Sequence, residues 1–179
     1  MKYTDDSTLK KHLCDSSRKL ADLTAAMVYE NPEIMDSLFS VTYNDEEPWS
    51  LRASRVIAIC AINCPELIRK YIPEIINRLH TLKSESARRN LLQIFKEADI
   101  KLKSREKSRM LDLCFAFLEG NHSIGLKAYS ADIIVRLSND HPDILHELYT
   151  VLTTQTDESS HASQVRTQKM IEKIGKINR

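Results

Sequence analysis

Apolar residues recur with a helical period along most of the chain, most clearly in residues 64–82, CPELIRKYIPEIINRLHTL. In this segment Pro65 lies where a helix would begin, and the N–H that proline lacks is not needed there. Pro73 lies in the middle, where a proline removes a hydrogen bond. The pattern therefore predicts one helix over 65–82, bent at Pro73. The apolar positions that share one face of this helix are Leu67, Ile68, Tyr71, Ile72, Ile75, Ile76 and Leu79.

The scheme at the start of this segment occurs twice more. NPEIMDSLF (31–39) and HPDILHELYTVL (141–152) also place a proline and then an acid before paired apolar residues. An acid in the first turn suits the positive end of the helix dipole. The shared scheme predicts that each of these segments is the first helix of a repeated unit.

A second set of segments carries one basic residue near the start of each. These are SLRASRVIAI (50–59), SARRNLLQIF (86–95), GLKAYSADII (125–134) and QVRTQKMIEKI (164–174). Their basic residues, Arg52, Arg88, Lys127 and Arg166, are 36, 39 and 39 residues apart, and Arg18 precedes Arg52 by 34. A period of 34–39 residues with two amphipathic helices per unit is typical of an α-solenoid.

The predicted fold is therefore all-α, a right-handed α-solenoid of about five helix pairs in a single domain over residues 1–179. The approximate repeats are 7–30, 31–63, 64–100, 101–139 and 140–179. VIAICAI (56–62) in isolation resembles a buried strand, but it is in register with the other second helices and is predicted to be helical. The low content of glycine (3) and proline (5) also favours helices over turn-rich folds.

Composition places the protein among ordinary globular chains. Of its 179 residues 42% are hydrophobic and 28% are charged. The N-terminal MKYTDDSTLKK has no apolar core of a signal peptide, and no apolar run approaches the roughly 18 residues of a membrane span. We therefore expect a soluble, cytoplasmic protein without a membrane segment.

Motifs of catalysis or metal binding are missing from the sequence. It has no P-loop, G-x-G-x-x-G, nucleophile elbow or H-E-x-x-H, so no catalytic residue, cofactor or enzymatic activity is predicted. Cys60 and Cys64 would share a helical face, but they lack C-x-x-C spacing and a nearby histidine, so no metal site is predicted. Cys60 and Cys114 lie in apolar runs and are predicted to be core residues.

The acidic cluster NDEEPW (44–49) has two interpretations. Three acids beside the single tryptophan would suit an acid–base or binding site. The composition is also that of a joint between helices with N-terminal caps, and this interpretation is favoured. Trp49 is accordingly predicted to be a partly buried cap over a helix junction rather than a stacking platform.

Charge is strongly segregated although the net charge is only +1. Residues 1–50 carry a net −5, 51–109 a net +8, 110–165 a net −6 and 166–179 a net +4. The predicted first helices other than the short helix at about 7–14 sum to −2. The four second helices from 50–62 onward sum to +6. The second helices therefore carry most of the positive charge.

A first helix bent at a proline, as at Pro73, followed by a second helix that opens with a basic residue, resembles HEAT and armadillo-type repeats over nearly the whole chain. In such arrays the second helices line the concave surface. The resemblance thus implies a modestly basic groove to which six residues contribute: Arg52, Arg55, Arg89, Lys96, Lys169 and Lys173. The alternative is that several basic residues are structural and bond acids and carbonyls between units.

The function expected from this resemblance is a non-enzymatic scaffold that binds a partner protein or acidic peptide in the basic groove. The alternative is a nucleic-acid-binding protein, including a repair enzyme similar to the HEAT-like DNA glycosylases. Such an enzyme would need aromatic residues in the groove beside a carboxylate. Here the one tryptophan lies in a predicted joint and aromatic content is 6%, so the scaffold is favoured.

Overall fold

The computed structural model describes residues 6–138, 141–154, 165, 168 and 172. Within these residues all regular secondary structure is helical, nine α-helices and two 3-10 helices joined by turns and loops, with no β-strand. The chain forms two compact units, residues 1–101 and 102–179. The α-helices are α1 (Asp6–Lys11), α2 (Arg18–Glu30), α3 (Ile34–Tyr43), α4 (Trp49–Asn63), α5 (Ile72–Arg78), α6 (Glu85–Glu97), α7 (Ser104–Glu119), α8 (Ile124–Leu137) and α9 (Pro142–Thr154).

The all-α prediction is confirmed. The right-handed stacking, the five pairs and the repeat boundaries within one domain stay predictions. The last predicted second helix, at about 162–178, lies almost wholly outside the described residues. Within the described part of the chain, no helix is both long and apolar enough to cross a lipid bilayer.

In the first unit the second helices form a layer in which α4 packs between α2 and α6, and α3 packs against α4. This arrangement explains why VIAICAI is helical although it is apolar in nearly every position. Val56, Ile57, Cys60 and Ala61 are each at most 1% exposed, because neighbours cover α4 on three sides. The prediction of a helix here, rather than a strand, is confirmed.

The prediction of one bent helix over 65–82 is wrong. The chain makes two 3-10 helices, Pro65–Leu67 and Arg69–Tyr71, before the α-helix α5 begins at Ile72. Pro73 is therefore the second residue of α5 and lies in its first turn, where its missing N–H leaves no intrahelical bond unmade. The apolar spacing was misleading because a 3-10 helix also brings residues three apart to one side.

The inward face of this segment differs in one position from the predicted one. Tyr71 and Ile75 are buried as expected, at 7% and 0% exposure. Leu67 is only half-buried, whereas Ile68, also on the predicted face, is fully buried. The 3-10 geometry accounts for this difference, since it turns the chain by more per residue than an α-helix does.

Replacing Pro73 with alanine is expected to lower the free energy of unfolding by about 0.5–1 kcal/mol and to leave the start of α5 in place. The reason is that the unfolded chain gains freedom, while no native hydrogen bond is lost or gained in the first turn. Urea denaturation measures the change. A variant more stable than the parent, with a continuous helix over 65–78, would show that Pro73 interrupts a helix after all.

The second unit is built from α7, α8 and α9, each of which packs against the other two. Its core includes Met110, Cys114, Leu126 and Leu148, all fully buried. Helix α7 ends before Gly120. A Cβ at this glycine would lie 2.9 Å from the His122 ring, so a side chain there would displace the imidazole.

Candidate interaction surface

Arg52 and Arg55, two of the predicted partner-binding residues, bind the loop between α1 and α2. Arg52 Nη1 donates to the carbonyls of Leu13 at 2.8 Å and Cys14 at 2.7 Å, and its Nε donates to Ser16 Oγ at 3.2 Å. Arg55 Nη1 donates to the Ser16 carbonyl at 2.7 Å. The structure therefore supports the alternative for these two residues: both join α4 to an earlier part of the chain through backbone carbonyls.

Trp49 lies at the start of α4 and is half-buried. The Arg52 guanidinium lies 5.5 Å from the centre of its ring, and Lys10 Nζ of α1 lies 5.7 Å from it. Both distances are within the range of cation–π attraction. Lys10 also pairs with Glu46 at 3.3 Å. The predicted role of Trp49, a partly buried cap over a helix junction, is confirmed.

Two acids of NDEEPW, Asp45 and Glu47, bind the residues just before α6, which lies almost forty residues further along the chain. Asp45 adopts a positive φ of 60° and its carboxylate accepts from the backbone N–H groups of Lys83 at 2.5 Å and Ser84 at 3.0 Å. Glu47 accepts from the Ser84 hydroxyl, and Ser84 itself caps α6 by accepting from Ala87 N at 3.2 Å. The interpretation as a joint between helices is confirmed, but these acids do not cap α4, whose cap position is Pro48 without a side-chain hydrogen bond.

Polar contacts within the first unit recur at the interval predicted for the repeats. The two residues of each contact are 34–39 positions apart in the sequence. A residue of one predicted repeat therefore contacts the residue at a similar position in the next. The contacts are Asn63 with Tyr29, Tyr71 with Asp36, Lys10 with Glu46, Lys83 with Asp45, and Asn90 with both Ser54 and Leu51.

Helices α4 and α6 pack against each other, and each carries a row of partly exposed residues; the two rows together are here called the second-helix face. On α4 it carries Arg55, Ile59 and Ile62, which lie within one third of the helix circumference and are half-buried. On α6 it carries Arg89, Gln93 and Lys96, spaced four and three residues apart. Arg89 is exposed and Lys96 is half-buried.

The structure thus brings Arg55, Arg89 and Lys96 onto two adjacent helices and assigns Arg52 mainly to the α1–α2 loop. Lys169 and Lys173, the other two predicted residues, lie outside the described residues. The half-exposed isoleucines of the same face were not singled out from the sequence. Their spacing of three residues is visible in the sequence. Helix α4 is apolar in almost every position, however, so the sequence does not show which of its sides lacks a neighbour.

A family model described as a HEAT repeat domain matches residues 8–174. The chain belongs to the HEAT repeat family. HEAT repeats generally mediate protein–protein interaction, and proteins of the family are typically non-enzymatic scaffolds. Comparison with curated proteins and with solved structures gives no match.

The first unit of this HEAT repeat protein also contains an open groove of about 490 Å³. It lies between residues 32–36, at the start of α3, and residues 66–71, which precede α5. Its charges are paired internally. Tyr71 Oη donates to Asp36 Oδ1 at 2.5 Å, Lys70 Nζ lies 3.4 Å from the same oxygen, and Arg69 pairs with Glu66 at 3.1 Å. Burial raises the pKa of Tyr71 above its ordinary value. These contacts join the repeats.

The cysteines of the HEAT repeats are free thiols in the structure. Cys60 and Cys114 are fully buried in the core, as predicted, and burial raises the pKa of each to about 12. Across the described ranges, no group of three or more histidine, cysteine or acidic side chains is placed to hold a metal ion.

Proposed function

We propose that this HEAT repeat protein is a non-enzymatic scaffold that binds an acidic partner protein on the second-helix face. The observation that supports this most directly is the pairing of half-exposed Ile59 and Ile62 with Arg55, Arg89 and Lys96 on two adjacent helices. A partner that covered this face would bury apolar area and also meet positive charge. Protein interfaces combine these two features, with arginine enriched among their residues.

The apolar component distinguishes a protein partner from a nucleic acid. Ile59 and Ile62 gain nothing from a phosphate backbone, whereas a partner side chain packed on them would release water from apolar surface. The basic residues would add long-range attraction, which is screened over about 8 Å at physiological salt. We therefore expect binding that weakens as salt rises but does not disappear, in contrast with the steep salt dependence of duplex binding.

The six predicted binding residues divide into groups under this proposal. Arg89 and Lys96 would attract the partner through their charge. Arg55 would also contact the partner while its Nη1 keeps its hydrogen bond to the α1–α2 loop. Arg52 would hold the repeats together. Lys169 and Lys173 remain proposed contributors from the last predicted helix.

Capture of partners from native cytosol, compared between matched variants, tests the proposal. Reversing Arg89 and Lys96 to glutamate should reduce capture of the specific partner at least tenfold, and Ile59→Ala should also reduce it. The matched control reverses Lys11 and Lys83, which are exposed and belong to neither α4 nor α6. It changes the net charge equally and should leave capture unchanged.

Two results would contradict the proposal. One is capture that is indifferent to both Arg89→Glu/Lys96→Glu and Ile59→Ala. The other is tight binding to random duplex DNA with a steep log–log salt slope that the reversal of Arg89 and Lys96 abolishes, because this would assign the face to nucleic acid.

A further inference from the structure

The start of α7 carries a short internal repeat of basic residues, KSREKSR (103–109), here called the basic segment. Its lysines, serines and arginines each recur four residues apart and therefore one above the other on the helix. Lys103, Arg105 and Arg109 are exposed and Lys107 is half-buried. Among the residues that the structure describes, none of these four cations forms an ion pair with an acid.

These charges are placed unfavourably for the helix itself. The N-terminus of a helix is the positive end of its dipole, so cations there weaken it. The pairs Lys103 with Lys107 and Arg105 with Arg109 also repel each other at four-residue spacing. Glu106 is the one acid in the segment, and its Oε2 accepts from the Lys103 backbone N–H at 2.9 Å.

The cap of α7 differs from those of α2 and α6, while α3, α4, α5 and α8 also lack a side-chain cap. Ser17 and Ser84 cap α2 and α6 with side-chain oxygens. At α7 the cap position is Lys103, an ammonium that cannot accept a hydrogen bond. The cations thus lie at the end of the helix that favours them least, and the bond from the Lys103 N–H to Glu106 is the compensating contact among the described residues. Such a conflict is characteristic of a functional site.

We infer that the basic segment binds a short acidic stretch of a partner protein, at a site separate from the second-helix face. Arg105 and Arg109 lie one turn apart and each can hold a carboxylate through two parallel hydrogen bonds. From residue 103 to 109 the helix rises about 9 Å, the length of about three extended residues. The ligand is therefore a run of about three acidic residues.

The surroundings of the segment favour a short acidic peptide over a nucleic acid. Asp112 is exposed one turn beyond Arg109 and ends the positive stripe. A duplex presents one charge per about 1.7 Å over its whole length and is bound tightly only through many phosphates. The segment also contains no aromatic residue on which a base could stack.

Fluorescence anisotropy with a labelled deca-glutamate peptide and the full chain tests the inference. The variant Arg105→Glu/Arg109→Glu should bind the peptide at least tenfold more weakly. Lys103→Glu/Lys107→Glu should do the same while the melting temperature stays equal or rises, because acids suit a helix N-terminus. Loss of binding in a variant at least as stable as the parent separates recognition from folding.

The matched control is Lys19→Glu/Lys83→Glu, which reverses two exposed lysines beside the N-termini of α2 and α6. It makes the same change of net charge and should alter peptide affinity less than twofold. Equal weakening by this control would overturn the inference, since attraction would then follow net charge alone. Tighter binding of a duplex oligonucleotide than of the peptide, abolished by Arg105→Glu/Arg109→Glu, would overturn it in favour of nucleic acid.

The inference goes beyond the proposed scaffold function and can fail independently of it. The reversal Arg89→Glu/Lys96→Glu should leave deca-glutamate affinity within twofold of the parent. If that reversal removes peptide binding while Arg105→Glu/Arg109→Glu does not, the acidic peptide occupies the second-helix face and the basic segment is not its site.

Discussion

Replacing Arg52 with alanine is expected to lower the free energy of unfolding by about 2–3 kcal/mol. The guanidinium holds the carbonyls of Leu13 and Cys14 at 2.8 and 2.7 Å and lies against the ring of Trp49. A hydrogen bond to a charged group contributes about 1.5–3 kcal/mol, and partial exposure of Arg52 reduces the sum of two such bonds. Urea denaturation of the full chain, followed by circular dichroism, measures the change.

Two variants separate the contacts of Arg52 from its charge. Arg52→Lys keeps the charge but loses the planar fork that reaches two carbonyls and a hydroxyl, so it should recover less than half of the loss. Arg89→Ala removes an exposed arginine of α6 and should change the free energy of unfolding by no more than about 0.5 kcal/mol. If Arg52→Ala were as mild as Arg89→Ala, the contacts with the α1–α2 loop would contribute nothing to stability.

Replacing Asp45 with alanine is expected to cost about 2 kcal/mol of unfolding free energy. The carboxylate accepts from two backbone N–H groups, those of Lys83 and Ser84, and a lost cap of this kind costs about 1 kcal/mol. Asp45 also adopts a φ of 60°, which alanine tolerates poorly and aspartate tolerates better. Thermal and urea denaturation both report the loss.

Glycine and asparagine at position 45 divide this effect into its two parts. Asp45→Gly accepts the positive φ without cost but has no acceptor, so it should be less stable than the parent and more stable than Asp45→Ala. Asp45→Asn keeps one oxygen acceptor and the tolerance of positive φ, and should lose about half as much as alanine. An Asp45→Gly protein as stable as the parent would show that the two hydrogen bonds to residues 83 and 84 are dispensable.

The sequence was sufficient to predict helices whose positions followed from the period of the repeat. It was less reliable where only the local spacing of apolar residues was used. Helix α4 illustrates this, because VIAICAI is ambiguous in isolation and only its register with Arg52, Arg88 and Lys127 indicated a helix. The segment 65–82 shows the limit of local spacing. Its apolar residues fit an α-helix, but residues three apart share a side in a 3-10 helix too, so the spacing does not distinguish the two geometries.

The contacts of the candidate surface were less predictable, because their acceptors leave no trace in the sequence. Arg52 was recognised as a repeated basic residue, but its partners are main-chain carbonyls 38 and 39 residues earlier. Any residue type supplies a carbonyl, so no pattern marks it. The same holds for Asp45, which was assigned to a joint although the two N–H groups it binds belong to the start of α6.

The basic segment was hidden for a different reason. In the sequence its four cations are part of the net +8 of residues 51–109, a total that also includes the basic residues of other helices. What distinguishes them is position, since the start of α7 is the end of a helix where cations are least favourable. That conflict becomes visible only when the helix boundary is known.

The most direct test of the second-helix face as the partner site is methyl NMR on the full chain, with isoleucine δ1 methyls labelled. The captured partner is added to saturation. We expect the methyl signals of the half-buried Ile59 and Ile62 to shift when the partner binds. Ile57 and Ile94 are fully buried in the same two helices, and their methyl signals should shift by only a small fraction of that chemical-shift change. Unshifted signals of Ile59 and Ile62 in the saturated complex would contradict this expectation.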